Sequence, residues 1–289
     1  MTSPPSPGGL WRAGRVALGI VGAAMVIAAP SAKQLPLEPM KDAGLGVTAA
    51  YEGWFRHPDG SVLLLIGYFN RNLKQTFDIP AGAENRIEPG GPDQGQPTHF
   101  LPRRQWGVFT IQVPKDFGDK KLTWTIVANG QPTSVTFGLN PLYEVEPYKD
   151  AAQSNTPPVL RFATSGPPHQ GPPRGLAASL SGSVGQPVTL GLWAADDGIV
   201  DPNRKTPESP VTVKWAKFRG PGDVVFSEAQ PAVDKADGNA RTTATFSAPG
   251  DYILRAQGND VSGEGGGGFQ CCWTSAHVKV VVKAGGTSQ

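Results

Sequence analysis

Apolar residues in the first half of the chain recur at every second position, which is the pattern of half-buried β-strands. In GVFTIQVP, Phe109, Ile111 and Val113 share one face, and KLTWTIVANG alternates in the same way before an Asn-Gly hairpin turn. The run Val62–Phe69 is apolar on both faces, which predicts a central strand covered from two sides. Together these patterns predict a β-sandwich of about six or seven strands across Val47–Phe137.

The second half of the chain repeats this organisation with shorter intervals between strands. Segments such as QPVTLGLWAADDG, SPVTVKWAKFRGPG, DYILRAQGND and WTSAHVKVVVK are separated by Gly- and Pro-containing turns. A polar, proline-bearing stretch precedes them. The sequence therefore predicts an all-β protein with two immunoglobulin-like β-sandwich domains, at residues 43–143 and 176–284, joined by a Pro/Gly-rich linker at 144–175.

The first 32 residues have the pattern of a secretory signal peptide. Arg12 and Arg15 precede the apolar run Val16–Ala29, and Ala29-Pro30-Ser31-Ala32 offers small residues for cleavage. The apolar run is short for a membrane span, although an uncleaved N-terminal anchor stays open as the alternative. We therefore expect an exported protein, periplasmic or extracellular, that meets a membrane only through this segment if it is uncleaved.

Composition and motifs argue against several function classes. The chain carries 26 Lys and Arg against 24 Asp and Glu, and no basic stripe suggests nucleic-acid binding. It has no Gly-x-Ser-x-Gly elbow, no His-Glu-x-x-His run and no phosphate-binding loop. None of the four histidines has metal-type spacing to another. The sequence therefore predicts a protein that is not an enzyme.

The only two cysteines, Cys271 and Cys272, are neighbours behind four glycines. Export would let them persist as a vicinal disulfide, which closes almost no loop and would act as a rigid surface feature. Copper is disfavoured, because a blue-copper site needs a second histidine and His277 follows the outward phase of its strand. Two free or partly buried thiols remain the third interpretation.

The strands and turns of the second domain carry a recurring set of residues: Trp215, the turn Gly220-Pro221-Gly222, Pro249, Gly250, Tyr252, Asn259 and Asp260. With these residues the domain resembles the polycystic-kidney-disease-type (PKD) immunoglobulin-like repeats of bacterial surface proteins. The resemblance covers roughly residues 186–283 and implies a fold, without indicating a function. The sequence departs from the repeat at the insert GIVDPNRKTPES and at the glycine-cysteine insert. The first domain only loosely resembles exported bacterial proteins, and that likeness implies no activity.

In an immunoglobulin-like sandwich, the loops after the second and sixth strands lie at the same end. Both departures from the PKD pattern would then lie side by side, together with an oxygen-rich set of side chains. Such a set suits Ca²⁺, which takes six to eight oxygen ligands, whereas ordinary turn chemistry accounts for the same residue types. No other cofactor is expected. The candidate Ca²⁺ ligands are Asp196, Asp197, Asn259, Asp260 and Glu264, with Asp201 nearby.

The sequence thus predicts an exported, non-catalytic binding, adhesion or structural protein that uses loops at the end of the second sandwich. Its expected partner is a protein or polysaccharide of the cell envelope. The long loop Ala81–Gln105 is a second candidate contact region. The alternative is a periplasmic metal-binding or redox accessory protein that uses the vicinal cysteines. The candidate recognition residues are Trp273, Phe269, Asp201 and Arg204.

Overall fold

The computed structural model describes residues 41–150, 154–199, 211–260 and 271–285, and their regular structure is β-strand apart from a three-residue 3-10 helix at Pro141–Tyr143. The predicted signal segment at residues 1–32 lies outside these ranges. In the described part of the chain, no helix has the length and apolarity needed to cross a membrane. The strands are β1 (Val47–Arg56), β2 (Val62–Asn70), β3 (Phe77–Asp78), β4 (Asn85–Glu88), β5 (His99–Phe100), β6 (Arg103–Val113), β7 (Leu122–Ala128), β8 (Gln131–Phe137), β9 (Val159–Arg161), β10 (Leu176–Ser183), β11 (Val188–Ala195), β12 (Thr212–Arg219), β13 (Val224–Phe226), β14 (Asn239–Phe246), β15 (Gly250–Asn259) and β16 (Trp273–Lys283).

The first sandwich consists of the sheet β1-β2-β6 and the sheet β4-β7-β8, with β3 and β5 as a separate pair. This order matches the ABE and CFG sheets of an immunoglobulin-like domain. Trp124 lies at the centre of the core, and the rings of Phe109 and Trp124 meet edge to face at 5.2 Å between centroids. The all-β prediction is confirmed.

The segment predicted as a long loop, Ala81–Gln105, contains β4, β5 and the start of β6. Its sequence lacks apolar periodicity, because hydrogen bonds of buried side-chain amides hold this segment in the fold. Asn85 is fully buried, donates to the carbonyl oxygens of Ile79 and Pro97, and accepts a 2.8 Å hydrogen bond from the Trp124 indole. The segment is therefore part of the core structure of the first sandwich.

The second sandwich pairs the sheet β10-β16-β15-β12 with the sheet β13-β14-β11-β9. The strand order again follows the immunoglobulin pattern, with β10 lying parallel to β16 at one edge. Strand β9 pairs with β11, so the segment predicted as a linker contributes a strand and the sandwich begins before residue 176. Val278, Val280 and Val282 on β16 belong to the core of the second sandwich, and Ala276 on the same face is 3% exposed.

The described residues from Lys41 to Gly285 belong to one compact unit, within which the two sandwiches contact each other. Strand β2 is buried on both faces, because Leu64 belongs to the first core while Leu63 and Leu65 pack against Trp273 of the second sandwich. Gly107 lies directly against this indole, with φ of +50°, and any side chain there would overlap the ring. The Trp273 ring therefore fills the interface between the two sandwiches, and we call this contact the Trp273 wedge.

Polar contacts also cross between the sandwiches. Arg219 forms a bidentate pair with Asp93, with N–O distances of 2.7 and 3.0 Å. The Lys217 ammonium donates to Asp78 over 2.6 Å, and Arg255 donates to the backbone oxygen of Trp106. These contacts fix the relative orientation of the two sandwiches.

Candidate functional site

Two strands of the second sandwich end beside the cysteine pair, and we call this region the distal end. It comprises residues 155–156, 196–199, 259–260 and 271–272. Asp196 follows β11, Asp260 follows β15, and the cysteines immediately precede β16. The neighbouring residues Asn155 and Thr156 hydrogen-bond to Asp260 and Asp197, which brings the ends of β15 and β11 together. The negative charge of Asp260 also contributes to the raised pKa of Asp196.

Asn155 connects these segments, and sequence reasoning did not single it out. Its side chain is 3% exposed, and its amide nitrogen donates to a carboxylate oxygen of Asp260. Its own side-chain oxygen is buried without a hydrogen-bond partner. Its backbone oxygen lies 3.8 Å from the sulfur of Cys271 and 3.4 Å from that of Cys272. Its polar, proline-rich surroundings resembled a linker, which concealed its buried position.

Asp196 is the most perturbed carboxylate of the distal end. Its Oδ2 accepts a hydrogen bond from the Gly198 amide at 3.0 Å, while its Oδ1 is buried without a partner. Burial, together with the negative charges of Asp197 and Asp260, raises the pKa of Asp196 to about 6. The cluster therefore concentrates acceptor oxygens and negative charge.

Two further predicted ligands, Asp197 and Asn259, have side-chain oxygens that accept hydrogen bonds from protein groups. One carboxylate oxygen of Asp197 accepts from the backbone and hydroxyl of Thr156, at 2.8 and 2.7 Å. Its other oxygen accepts from the Ile199 amide. The Asn259 side-chain oxygen accepts from Gln257. The Asp197–Ile199 contact matches the turn chemistry that the sequence left open, whereas the Asp197–Thr156 contacts join segments 41 residues apart.

No three His, Cys, Asp or Glu side chains among the described residues form a group that could hold a metal by themselves. A cation at the distal end would therefore need the Asn155 oxygen beside the carboxylates. The other predicted residues of this end, Asp201, Arg204, Glu264 and Phe269, lie outside the described residues.

The structure corrects the prediction that Trp273 provides an exposed contact. Trp273 is 1% exposed, because the outer face of the sheet β1-β2-β6 covers it. Cys271 and Cys272 are 4% and 1% exposed, and the structure joins their sulfurs as a disulfide. The predicted surface feature thus lies in the interior, while the redox state of the pair stays a prediction.

His277 points away from its own core, as its strand phase predicts, and the first sandwich partly covers it. Its Nε2 lies 3.1 Å from the backbone oxygen of Val108, and its ring packs on Phe218 with centroids 4.2 Å apart. Burial lowers the pKa of His277 to about 3. The residue therefore acts as a neutral contact between the sandwiches.

Comparisons with known proteins identify no family. No protein-family model matches the chain, and no curated protein matches its sequence. The resemblance to PKD-type repeats therefore stays a prediction.

Among solved structures, the D00-D0 domain of intimin is 13% identical, covers 82% of this chain and 99% of its own, and has a TM-score of 0.27. The titin Ig tandem A164-A165 is 10% identical, with 83% and 98% covered and a TM-score of 0.23. The adhesin InvE of Yersinia pseudotuberculosis is 10% identical, with 81% and 58% covered and a TM-score of 0.24. At TM-scores this low, the fold description rests on the strand order of the chain itself.

Proposed function

We propose that the protein is an exported, non-catalytic binding protein whose distal end is the recognition site and is organised by Ca²⁺. One observation carries this proposal. Two buried acceptor oxygens, Oδ1 of Asn155 and Oδ1 of Asp196, have no partner among the described residues. Asn155 donates to Asp260, and the negative charge of Asp260 also acts on Asp196.

Unpaired buried acceptors are costly, at about 1–3 kcal/mol each. They persist where a donor or a cation completes the site. The groups at the distal end are carboxylate and amide oxygens, which are the ligands that Ca²⁺ takes in proteins. A cation would also offset the repulsion that raises the pKa of Asp196. These features together favour Ca²⁺ over a neutral donor.

The three residues come from three separate segments, which gives a cation here a structural consequence. Asn155 precedes β9, Asp196 follows β11 and Asp260 follows β15. A shared Ca²⁺ would fix how the chain leaves both strands. Loops on a rigid sandwich are common binding surfaces, and the proposed partner is a protein or polysaccharide of the cell envelope.

Calorimetric titration with CaCl₂ tests the cation. We expect one Ca²⁺ per chain, no comparable heat from MgCl₂, and a higher thermal midpoint with Ca²⁺ than with EDTA. Asp196→Asn and Asp260→Asn should abolish both effects. Asp237→Asn is the matched control, because Asp237 is an exposed aspartate in another turn of the same sandwich. Equal Ca²⁺ binding by all four proteins would contradict the proposed ligands.

Co-sedimentation with insoluble cell-wall polysaccharide tests recognition, with Ca²⁺ or EDTA present. Binding that requires Ca²⁺ and is lost in Asp196→Asn would support the distal end as the recognition site. Binding that is unchanged in EDTA and in this variant would place recognition elsewhere. The alternative function, a redox accessory protein, has less support because both cysteines are buried.

A further inference from the structure

A separate cleft of about 370 Å³ lies between the two sandwiches, and we call it the inter-sandwich cleft. Its walls are residues 99–105 of the first sandwich and residues 214–217 and 223–229 of the second. Ligand sites commonly occur at domain interfaces, and this volume lies within the usual range for small molecules. None of its residues belongs to the distal end.

A three-residue polar contact crosses the interface next to the cleft, and two of its members, His99 and Lys217, line the cleft. Asp78 accepts from the Lys217 ammonium at 2.6 Å and is 3.0 Å from Nδ1 of His99. Burial raises the pKa of Asp78, but the hydrogen bonds from Lys217 and His99 outweigh it and the net shift is downward. Asp78 is therefore a carboxylate at neutral pH, and the cleft has a preformed wall.

This contact also determines what His99 offers to a ligand. Burial lowers the pKa of His99, so the ring is neutral at pH 7. Because Asp78 accepts a hydrogen bond from Nδ1–H, the other ring nitrogen, Nε2, is an acceptor. His99 lines the cleft and interacts with the charge of Asp223, which lines it too. One part of the cleft thus presents two acceptors.

Strand β12 contributes a cation, Lys214, and a hydrogen-bond donor, the indole of Trp215, to the cleft. Lys214 lines the cleft, and within the described residues neither Lys214 nor Asp223 has an ion-pair partner. Trp215 lines the cleft as well, and its buried indole N–H has no hydrogen-bond partner. Leu101, Pro102 and Phe226 supply apolar surface between these polar groups.

We propose that the inter-sandwich cleft binds an α-amino acid with an apolar side chain. The Lys214 ammonium binds the carboxylate, Asp223 and Nε2 of His99 accept from the ammonium, and the apolar wall covers the side chain. A zwitterion satisfies two opposite charges that are unpaired in the described residues, which a neutral sugar or a simple hydrocarbon does not.

Calorimetric titration with L-leucine tests the site in the full mature chain. We expect a Kd on the order of 0.1–1 mM for a ligand of this size. N-acetyl-L-leucine, which lacks the ammonium, and L-leucinamide, which lacks the carboxylate, should each bind about tenfold more weakly.

Two variants assign the two ends of the ligand. Lys214→Met should weaken leucine binding about tenfold and remove the preference for leucine over leucinamide. Asp223→Asn should remove the preference for leucine over N-acetyl-leucine. Lys235→Met and Asp237→Asn are matched controls, because both residues are exposed on the second sandwich and do not line the cleft. Unchanged circular dichroism and thermal midpoints show that the variants fold.

Three results would overturn the proposal. The first is no heat from leucine or phenylalanine at concentrations about tenfold above the expected Kd. The second is equal weakening by the cleft variants and the controls. The third is binding of glucose or N-acetylglucosamine that is stronger than that of leucine. The titration is run in both Ca²⁺ and EDTA, so failure of the cation site and failure of the cleft are seen separately.

Discussion

The two sandwiches differ in how they treat buried polar groups. In the first, the indole N–H of Trp124 donates to Asn85 and that of Trp54 donates to the backbone oxygen of Asn140, both at 2.8 Å. In the second, Trp215 and Trp273 are equally buried, and neither indole N–H has a partner. Both sandwiches follow the immunoglobulin strand order. They nevertheless differ in whether their buried indole N–H groups are hydrogen-bonded.

This difference extends beyond the tryptophans. Within the described residues, five buried side-chain nitrogen or oxygen atoms lack a partner, and none lies in the first sandwich. Each such atom costs about 1–3 kcal/mol, so among the described residues the second sandwich carries the cost of unsatisfied buried polar groups. The five belong to Asn155, His169, Asp196, Trp215 and Trp273.

The first sandwich therefore acts as a support. It covers the outer face of β16 through Phe55, Leu63 and Leu65, and it contributes His99 to the inter-sandwich cleft. Because the buried polar side-chain atoms of the first sandwich are hydrogen-bonded within the described residues, this domain can hold the second sandwich in a fixed position. This assignment predicts that breaking the interface destabilises the chain far more than altering either proposed site.

The largest effect is expected at the Trp273 wedge. Trp273→Ala removes a fully buried indole and should lower the unfolding free energy by about 3–5 kcal/mol. Gly107→Ala should also be strongly destabilising, because its Cβ would overlap the same ring. Urea denaturation followed by tryptophan fluorescence measures both.

The matched control for Gly107→Ala is Gly60→Ala. Gly60 also has a positive φ, of +82°, but has open space around its Cβ position, so it reports the backbone cost alone. Combining Gly107→Ala with Trp273→Leu should recover part of the loss of Gly107→Ala. A Gly107→Ala variant no less stable than Gly60→Ala would show that the sandwiches can separate at no cost.

The next effect is expected at the cross-sandwich pair of Arg219 and Asp93. Arg219 also donates to the backbone oxygen of Gln96, and its side chain is only 19% exposed. Arg219→Ala should lower the unfolding free energy by about 1–3 kcal/mol. Arg86→Ala, which breaks an exposed pair with Glu88 inside the first sandwich, should cost less than about 1 kcal/mol. Equal losses would mean that the interface does not contribute through this pair.

Strand patterns made much of the fold predictable. The alternation of β16 predicts an inward face of Ala276, Val278, Val280 and Val282; all four are buried, and the three valines belong to the core cluster. The two apolar faces of Val62–Phe69 indicate the doubly covered strand β2. Both features depend on a period of two, which is a local property of the chain.

The sites were less predictable, because their determinants are not local. The sequence predicts Trp273 as a recognition residue, because alternation along a strand does not show that another sandwich covers the ring. Asn155 lies in a proline-rich segment and acquires its role only through contact with Asp260, 105 residues away. The cleft similarly joins His99 to Lys214 through the packing of two domains.

A smaller effect is expected at the distal end, where the folded protein is less stable with Asp196 ionised than with Asp196 protonated. Its folded pKa of about 6 lies above the ordinary 3.8, so its contribution to stability is complete below about pH 4 and is lost as pH rises through 6. Asp196→Asn should therefore raise the unfolding free energy in EDTA at pH 7 by about 1 kcal/mol, since solvent reaches part of the side chain. In Ca²⁺ the same variant should be the less stable protein. Denaturation curves at pH 4 and 7 in both buffers measure this, and a variant destabilised in EDTA would contradict the assigned repulsion.

The smallest effect is expected from the bond between Cys271 and Cys272. A disulfide between neighbours closes no loop of chain, so reducing it should change the unfolding free energy by less than about 1 kcal/mol. Both sulfurs are buried, so native protein should resist alkylation whatever its redox state. Intact mass after alkylation in denaturant, with and without reductant, determines the state, and denaturation curves of both forms give the energy. A loss above about 2 kcal/mol would mean that the cysteine pair, and not Asn155 with its cation, holds the distal end together, and the second sandwich would then need no ligand there.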